Sequence, residues 1–276
     1  MSKLKHRFTT DLLFKQLFKK NPHLLKQLVS QLLKIPINNI TQFEVRDTEI
    51  PPATIDSKYC RLDILMTVES QQVNLEVQVD NRGDFLERAL FYWARIYSGA
   101  LPVGGKYVDL PRTIIISIVD FIIFDDFTGF HSEFQLLEVT RNTPLIDKQV
   151  LHFFELPKLP KKIDKNDLLL MWLALFKAGT EEDLKMIEGM GVDEISEVVT
   201  AYRTLSKSPE FREMERLREK AEFDEASALR HARDEGTLQG EKRANKKWQA
   251  VVADKDAELE ALRRQLTELQ NKQPPT

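Results

Sequence analysis

The chain has a single cysteine, almost no net charge and no long apolar run, and each shortage excludes a class of protein. Cys60 alone cannot form an internal disulfide. The net charge of −3 excludes a uniformly basic nucleic-acid coat, so any basic surface must be local. The longest apolar stretch, residues 113–124, contains Asp120 and is far shorter than the roughly 20 residues that a bilayer requires. The amino terminus lacks the apolar core of a secretory signal, so we expect a cytoplasmic protein without a membrane span.

Several common catalytic motifs are also missing. The five histidines have no metal-ligand spacing, and there is no second cysteine to complete a zinc site. Neither a GxxxxGKS/T nor a GxGxxG nucleotide loop occurs, and no GxSxG turn marks a nucleophilic serine. Carboxylate chemistry is the class of catalysis that the residues leave open.

Hydrophobic periodicity predicts an α/β domain in the first two thirds of the chain. Apolar residues recur at three- and four-residue spacing in some segments and at two-residue spacing in others. Strands flanked by helices indicate a mixed sheet that is covered by helices on both faces. The predicted helices cover 10–20, 22–34 and 84–99, and the predicted strands lie near 62–68, 73–79, 112–119, 133–139 and 149–156.

The last third of the chain, residues 211–276, is predicted to be one long charged helix. It carries fourteen basic and fourteen acidic residues and has no glycine after Gly240. Apolar residues alternate steps of four and three along its final part, which is the a/d spacing of a coiled coil. We expect self-association through this seam, and a solitary charged helix is the alternative. The seam consists of Trp248, Val252, Leu259, Leu262, Leu266 and Leu269, with Lys255 interrupting it.

The hairpin predicted between residues 62 and 79 brings acidic side chains together. A two-residue turn at Ser70-Gln71 pairs the apolar residues of the two strands. On the other face, this register places Asp63 opposite Gln78 and diagonal to Glu76. Two carboxylates at that separation suit Mg²⁺, which prefers oxygen ligands and supports phosphodiester hydrolysis. Ordinary solvated side chains on the polar face of a hairpin are the alternative that the spacing leaves open.

The residues around this hairpin carry a resemblance to a known family. Asp63, twelve intervening residues and then Glu76-Val77-Gln78 resemble the core motif of the PD-(D/E)XK nuclease superfamily, with glutamine at the usual lysine position. The whole stretch from about 10 to 180 resembles the bacterial recombination-promoting nuclease and transposase family. The resemblance implies a restriction-endonuclease-like α/β fold. The segments that carry it are DLLFKQLF (11–18), LEVQV (75–79), ERALFYWARIYSGALPVGGKY (87–107), RTIIISIVDFIIF (112–124) and FELPK (154–158).

The resemblance also implies a catalytic site. Asp63 and Glu76 would bind a catalytic Mg²⁺ or Mn²⁺, and Gln78 would stand where lysine normally helps to position the attacking water. Asp11 would match an acidic residue that the amino-terminal helix contributes to the metal. The alternative for Asp11 is an ordinary helical pair with Lys15, four residues later.

The first 34 residues form the most basic part of the chain, with eight Lys or Arg residues and one acidic residue. Binding to DNA phosphates needs positive charge without base-specific geometry, so this segment is a candidate surface for double-stranded DNA. A solvated basic face is the alternative. The predicted DNA-binding residues are Lys15, Lys19, Lys20 and Lys26, together with Arg88 on the helix over 84–99.

The predicted domain organisation combines these patterns. We expect a nuclease domain at 1–160, a helical region at 161–208 and a coiled-coil tail at 209–276 that forms a homodimer. The predicted function is a Mg²⁺-dependent DNA endonuclease, and the resemblance adds recombination, mobile elements or phage defence as its context. The competing hypothesis is a catalytically idle DNA-binding or coiled-coil interaction module with the same fold. Within the nuclease hypothesis, Gln78 supplies less stabilisation of negative charge than lysine, so we expect slow or conditional turnover.

Overall fold

The computed structural model describes residues 2–46, 49–50, 60–81 and 83–271, which form helices and strands. The described helices are α1 (Asp11–Lys20), α2 (Pro22–Leu32), α3 (Phe85–Gly99), α4 (Leu168–Lys177), α5 (Glu181–Glu188), α6 (Asp193–Lys207) and α7 (Pro209–Asn271). The described strands are β1 (Phe43–Val45), β2 (Glu49–Ile50), β3 (Cys60–Arg61), β4 (Ile64–Val68), β5 (Gln71–Gln78), β6 (Thr113–Val119), β7 (His131–Gln135) and β8 (Gln149–Glu155). The predictions of α1, α2 and α3 are confirmed.

Six of the described strands form a mixed sheet in the order β1-β4-β5-β6-β8-β7, and β2 pairs with β3 apart from it. Strands β5, β6 and β8 are mutually parallel, whereas β1, β4 and β7 are antiparallel to their neighbours. Every residue of β6 and β8 is buried, as expected of central parallel strands. The predicted mixed sheet with flanking helices is confirmed, and it is consistent with a restriction-endonuclease-like α/β fold.

Helix α3 covers one face of the sheet. Its indole at Trp93 donates a hydrogen bond to the carbonyl oxygen of Thr113 at 3.1 Å, at the start of β6. Its apolar side chains recur at helical spacing, so they face the sheet together. The cluster that they form contains Phe85, Ala89 and Ile96 of α3 and Leu65, Ile115, Leu151 and Phe153 of the sheet.

Helices α1 and α4 pack on each other through aromatic side chains. The ring centroids of Phe14 and Phe176 lie 6.0 Å apart, and those of Phe18 and Trp172 lie 6.3 Å apart. All four rings are buried, so they contribute strongly to the apolar core. Helix α1 also contacts α6, and its position therefore depends on helices that come late in the chain.

The segment before α1 is tied to distant parts of the fold. The guanidinium group of Arg7 donates to the Asp120 carboxylate at 2.7 Å and to the carbonyl oxygen of Lys177 at 3.3 Å. The hydroxyl group of Tyr202 donates to the carbonyl oxygen of His6 at 2.8 Å. The residues that these contacts join are between 113 and 196 positions apart in sequence, so the contacts hold the start of α1 against the rest of the domain.

One strand differs from its prediction. A strand was expected near 133–139, but β7 spans His131–Gln135 and is antiparallel to β8. After it, residues 136–138 pair with 143–145 instead of β8: the N–H of Leu145 donates to the carbonyl oxygen of Leu136 at 2.9 Å. The carboxylate of Glu138 closes the turn between them by accepting hydrogen bonds from the N–H groups of Thr140, at 3.1 Å, and Arg141, at 2.6 Å. Such local side-chain bonds compete with a continued strand.

The hairpin of β4 and β5 forms as predicted, but its register is different. Its turn residues are Glu69 and Ser70 rather than Ser70 and Gln71, and Ile64 pairs with Leu75. The predicted register was wrong by two residues. A shift of two leaves each side chain on the same face, so the apolar residues still match across the hairpin.

The turn itself explains this register. Glu69 and Ser70 both have positive φ, of 47° and 65°, as the two central residues of a tight hairpin turn require. The carboxylate of Glu69 also accepts hydrogen bonds from the backbone N–H groups of Thr41 and Gln42, the latter at 2.7 Å. The turn is thus fixed both by its own backbone and by the segment that leads into β1.

The chain divides into two compact units, Met1–Arg212 and Glu213–Thr276. As far as the structure describes it, to Asn271, the second unit is the rest of α7, so the predicted long charged helix is confirmed, whereas its pairing into a coiled coil is not. Five of its seam residues are more than half exposed: Trp248, Val252, Leu259, Leu262 and Leu266. Among the helices described, none is long and apolar enough to cross a membrane.

The hairpin turn gives a stability prediction. Ser70→Gly should raise the free energy of unfolding by about 0.5–1 kcal/mol, because glycine adopts the positive φ at this exposed position without the strain of a Cβ atom. Urea unfolding would measure it. Glu69→Gly is the matched control at the neighbouring position, and it should lower stability because it removes the carboxylate that binds Thr41 and Gln42. A loss of stability in Ser70→Gly would contradict this account of the turn.

Candidate metal-binding active site

Asp63 and Glu76 face each other at the end of the hairpin. Ile64 pairs with Leu75, so Asp63, just before β4, lies across from Glu76 rather than diagonal to it. The backbone N–H of Asp63 donates to the Glu76 carboxylate at 3.2 Å, and the N–H of Val77 donates to Oδ2 of Asp63 at 3.0 Å. In the observed register the two acids are therefore directly opposite each other, closer than the diagonal placement that the sequence predicted.

Burial makes this pair of acids costly to ionise. Glu76 is 9% exposed, and its Oε1 accepts a hydrogen bond from the Asn74 amide at 2.8 Å. Burial, reinforced by the negative charge of Asp63, raises the pKa of Glu76 to about 8. Burial also raises the pKa of Asp63, against the opposing influence of Lys15. A divalent cation would offset both costs, because it favours the ionised form of each carboxyl.

Lys15 and Asp11 reach this site from α1. The ammonium nitrogen of Lys15 lies 3.0 Å from Oδ1 of Asp63 and 2.6 Å from Oδ1 of Asp11. Although burial opposes its charge, Asp63 and Asp11 together raise the pKa of Lys15 above its usual value, so Lys15 remains an ammonium. Of the two alternatives for Asp11, the observed contact is the helical pair with Lys15.

Two neutral residues that the sequence analysis missed border Glu76. Asn74 is two positions before Glu76 on β5, and Ser117 is paired with Glu76 across β5 and β6. Oδ1 of Asn74 and Oγ of Ser117 are buried and have no hydrogen-bond partner among the described residues. The two-residue period could have identified Asn74, whereas Ser117 required the parallel pairing. Gln78 ends the same strand, and its amide donates to the carbonyl oxygen of Asp80 at 3.3 Å.

The donors present fit a hard divalent cation. Among the residues that the structure describes, no three His, Cys, Asp or Glu side chains converge, so Asp63 and Glu76 are a two-carboxylate set. Mg²⁺ is commonly held by one or two carboxylates together with waters and substrate phosphates. The buried oxygen atoms of Asn74 and Ser117, beside Glu76, suit the water molecules that such an ion retains.

A cleft of about 560 Å³ opens beside Asp63. It is within the size range of ligand pockets, about 300–1,000 Å³. Three cations, Lys15, Lys19 and Arg46, line it together with residues of α1 and α2. A cationic cleft that reaches Asp63, the partner of Glu76, can attract a phosphate group towards the metal-binding position.

The remaining predicted DNA-binding residues do not line this cleft. Lys20 lines a separate groove that α6 residues, including Glu197 and Thr200, complete. Lys26 is half-buried on α2. The guanidinium carbon of Arg88 lies 5.4 Å from the centre of the Phe85 ring, a cation–π contact within α3. The predicted set is therefore distributed over several surfaces rather than gathered in one cluster.

One comparison with known proteins matches most of the chain. A family described as PD-(D/E)XK nuclease family transposase matches residues 8–232. No curated protein and no solved structure shows significant similarity. The matched span contains α1, the hairpin, all of the central parallel strands and part of α7. It confirms the predicted resemblance to the PD-(D/E)XK nucleases.

The raised pKa of Glu76 gives a pH-dependent stability prediction. Its folded pKa lies above that of an unfolded glutamate, so ionisation costs stability as the pH rises from about 4.5 to about 8. Glu76→Gln keeps the Oε1 acceptor but cannot ionise. In EDTA at pH 8.5, the melting temperature of Glu76→Gln should exceed that of the wild type by about 2–4 °C or more.

The difference in melting temperature between Glu76→Gln and the wild type should shrink towards zero at pH 4.5, where Glu76 is protonated in the folded state. Thermal unfolding followed by circular dichroism at both pH values measures the effect. An equal difference at both pH values would mean that the charge of Glu76 is not what destabilises the metal-free protein.

Proposed function

The chain belongs to the PD-(D/E)XK nuclease family transposases, and we propose that it is a metal-dependent endonuclease that hydrolyses phosphodiester bonds in DNA. Family membership supports a nuclease-like function in general. The observation that carries the specific proposal is the facing of Asp63 and Glu76, of which Asp63 lines a cationic cleft. Buried acids in this arrangement are costly unless a cation balances them.

Each residue of the site has a role in this proposal. Asp63 and Glu76 would hold Mg²⁺ or Mn²⁺, and hydrogen bonds from Val77 and Asn74 keep their carboxylates in place. When bound, such an ion lowers the pKa of a water molecule and stabilises negative charge on a phosphate oxygen. Gln78 is neutral, so its amide would help to orient the water or a phosphate oxygen through hydrogen bonds alone.

The proposed substrate is double-stranded DNA. Lys15, Lys19 and Arg46 make the cleft beside Asp63 electropositive, which favours a phosphate group there. Lys20, Lys26 and Arg88 would contact backbone phosphates outside the cleft, a role that needs charge but no base recognition. A nuclease of this kind would make the DNA ends on which recombination, mobile-element movement or phage defence acts.

We propose further that α7 joins two copies of the chain. Its a/d seam is exposed, and leucines at this spacing are buried when a second helix covers them. A homodimer would carry two active sites, which suits the cutting of both strands of a duplex. Because the seam covers only about three heptads, the pairing should depend on protein concentration.

The first test of the proposed function removes the metal ligands. Asp63→Asn and Glu76→Gln should each reduce Mg²⁺-dependent cleavage of supercoiled plasmid to the level of wild-type protein in EDTA. Each variant loses one of two charged ligands but retains its side-chain amide oxygen, so the hydrogen bonds from Val77 and Asn74 can still form. Agarose-gel assays of nicked and linear plasmid measure the loss.

Asp109→Asn is the matched control, because Asp109 is an exposed carboxylate in the loop before β6. It should cleave plasmid at the wild-type rate. Wild-type cleavage by Asp63→Asn or Glu76→Gln would contradict the proposed site. DNA binding by the wild-type protein without any cleavage in Mg²⁺ or Mn²⁺ would favour the idle DNA-binding module instead.

The second test concerns the tail. Changing Leu259, Leu262 and Leu266 together to Ser should convert a dimer into a monomer in sedimentation experiments, because it removes the apolar centre of the seam. The variant should still nick plasmid but should make fewer double-strand breaks. Leu229→Ser, an exposed leucine of the same helix outside the seam, should change neither property. Sedimentation of the wild-type chain as a monomer at tens of micromolar would contradict the dimer.

A further inference from the structure

Lys15 is placed where a charged catalytic group would be needed, although it lies on a helix far from the hairpin in sequence. We propose that Lys15 supplies, from α1, the positive charge that Gln78 cannot supply, and that Asp11 positions Lys15 rather than binding metal. This inference rests on the proposed nuclease function. It assigns to Lys15 a contact with the scissile phosphate itself, instead of a contact with DNA backbone elsewhere.

The contacts of Asp63 support this assignment first. One oxygen of its carboxylate receives the ammonium of Lys15 at 3.0 Å, and the other receives the N–H of Val77 at 3.0 Å. Lys15 is therefore in direct contact with a carboxylate that the proposed function assigns to the metal. A phosphate oxygen that approaches an ion held by Asp63 would come within reach of the same ammonium.

The burial of Lys15 distinguishes it from a surface phosphate-binding residue. Its side chain is 26% exposed, whereas Lys19, one helical turn further along α1, is exposed. Both residues line the cleft. A charge that is partly removed from water acts more strongly on a neighbouring anion than a fully solvated one does. The burial of Lys15 near Asp63 therefore suits stabilisation of charge at one point of the substrate.

Asp11 gives Lys15 a second anchor. The Lys15 ammonium lies 2.6 Å from Asp11, which is four residues earlier on the same helix. If a divalent ion takes the oxygen of Asp63 that Lys15 now contacts, Asp11 still holds the ammonium beside the cleft. This ion pair gives the Asp11 carboxylate a role that involves no metal, because the carboxylate binds the Lys15 ammonium.

Gln78, at the position where lysine is usual, lacks a charge and already makes a hydrogen bond. Its amide is neutral and donates to the carbonyl oxygen of Asp80 at 3.3 Å, at the end of β5. It can orient a water molecule but cannot balance the negative charge that develops on the phosphate. Lys15 can balance that charge as a permanent cation, without gaining or losing a proton during the reaction.

The chemical step remains an ordinary hydrolysis. The oxygen of a water molecule bonds to phosphorus, and the bond from phosphorus to one sugar oxygen breaks. The hydroxyl group of the water molecule stays on the new phosphate end, and its other proton passes to the departing sugar oxygen. Lys15 donates hydrogen bonds to a non-bridging phosphate oxygen as negative charge builds up on it.

The experiment compares cleavage under single-turnover conditions with the binding of DNA and of Mn²⁺. Lys15→Met should lower the cleavage rate at saturating plasmid by about 100-fold or more, the usual loss when one charge-stabilising group is removed. Its affinity for Mn²⁺, measured by calorimetry, should not fall. Asp11→Asn should lower the rate less and should also retain Mn²⁺ affinity, because Asp11 acts through Lys15. Lys185→Met, an exposed lysine of α5, is the control and should keep the wild-type rate.

A rescue variant keeps the test decisive if Lys15→Met weakens the fold. In the double variant Lys15→Met/Gln78→Lys, a lysine on β5 restores a charge beside Glu76, and the rate should recover at least tenfold relative to Lys15→Met measured at the same folded fraction. Failure of this rescue, or a Lys15→Met rate within threefold of wild type, would overturn the inference. Loss of Mn²⁺ affinity in Asp11→Asn would also overturn it, because Asp11 would then be a metal ligand.

These experiments distinguish a failure of the proposed function from a failure of the role of Lys15. If Asp63→Asn and Glu76→Gln still cleave like the wild type, the proposed site itself fails. If they lose cleavage while Lys15→Met retains it, only the role of Lys15 fails. A loss in Lys15→Met that disappears at saturating DNA would make Lys15 a DNA-binding residue and overturn the catalytic role.

Discussion

The pairing of β4 with β5 is the constraint on which the candidate site depends. With Ile64 across from Leu75, Asp63 and Glu76 are direct neighbours, and each is hydrogen-bonded through the backbone of the hairpin. The pairing is set at the other end of the hairpin, where Glu69 and Ser70 form a turn with positive φ. A two-residue turn thus controls the distance between two acids that lie a full strand length away.

The site also illustrates how the fold accommodates negative charge inside a largely apolar domain. Glu76 is buried beneath a sheet face that α3 covers, and its neighbour Asp63 adds a like charge. The protein offsets only part of this cost, through Lys15 on one side and the amide of Asn74 on the other. An incompletely compensated pair of acids is unfavourable for stability but favourable for capturing a cation.

Much of this architecture was accessible from the sequence, because local periodicity determines which segments are helices and strands. The alternation along the hairpin could not distinguish two registers, since a shift of two residues keeps Ile64 and its neighbours on the same face. The early end of β7 depended on the pairing of 136–138 with 143–145 and on the turn that Glu138 closes between them. Spacing suggested the pair of Asp11 and Lys15, but its position over Asp63 depends on long-range packing of α1.

That long-range packing has a consequence for the order in which the protein is made. The hairpin acids are local in sequence, but α1 is held by Arg7, through Asp120 and Lys177, and by the packing of Phe14 on Phe176. During synthesis, the hairpin leaves the ribosome long before these partners exist. The contacts that hold Lys15 against Asp63 are therefore completed only after α4 and α6 have emerged. A nascent chain, or one truncated before α4, carries the two acids and α1 but lacks the contacts that hold α1 against them.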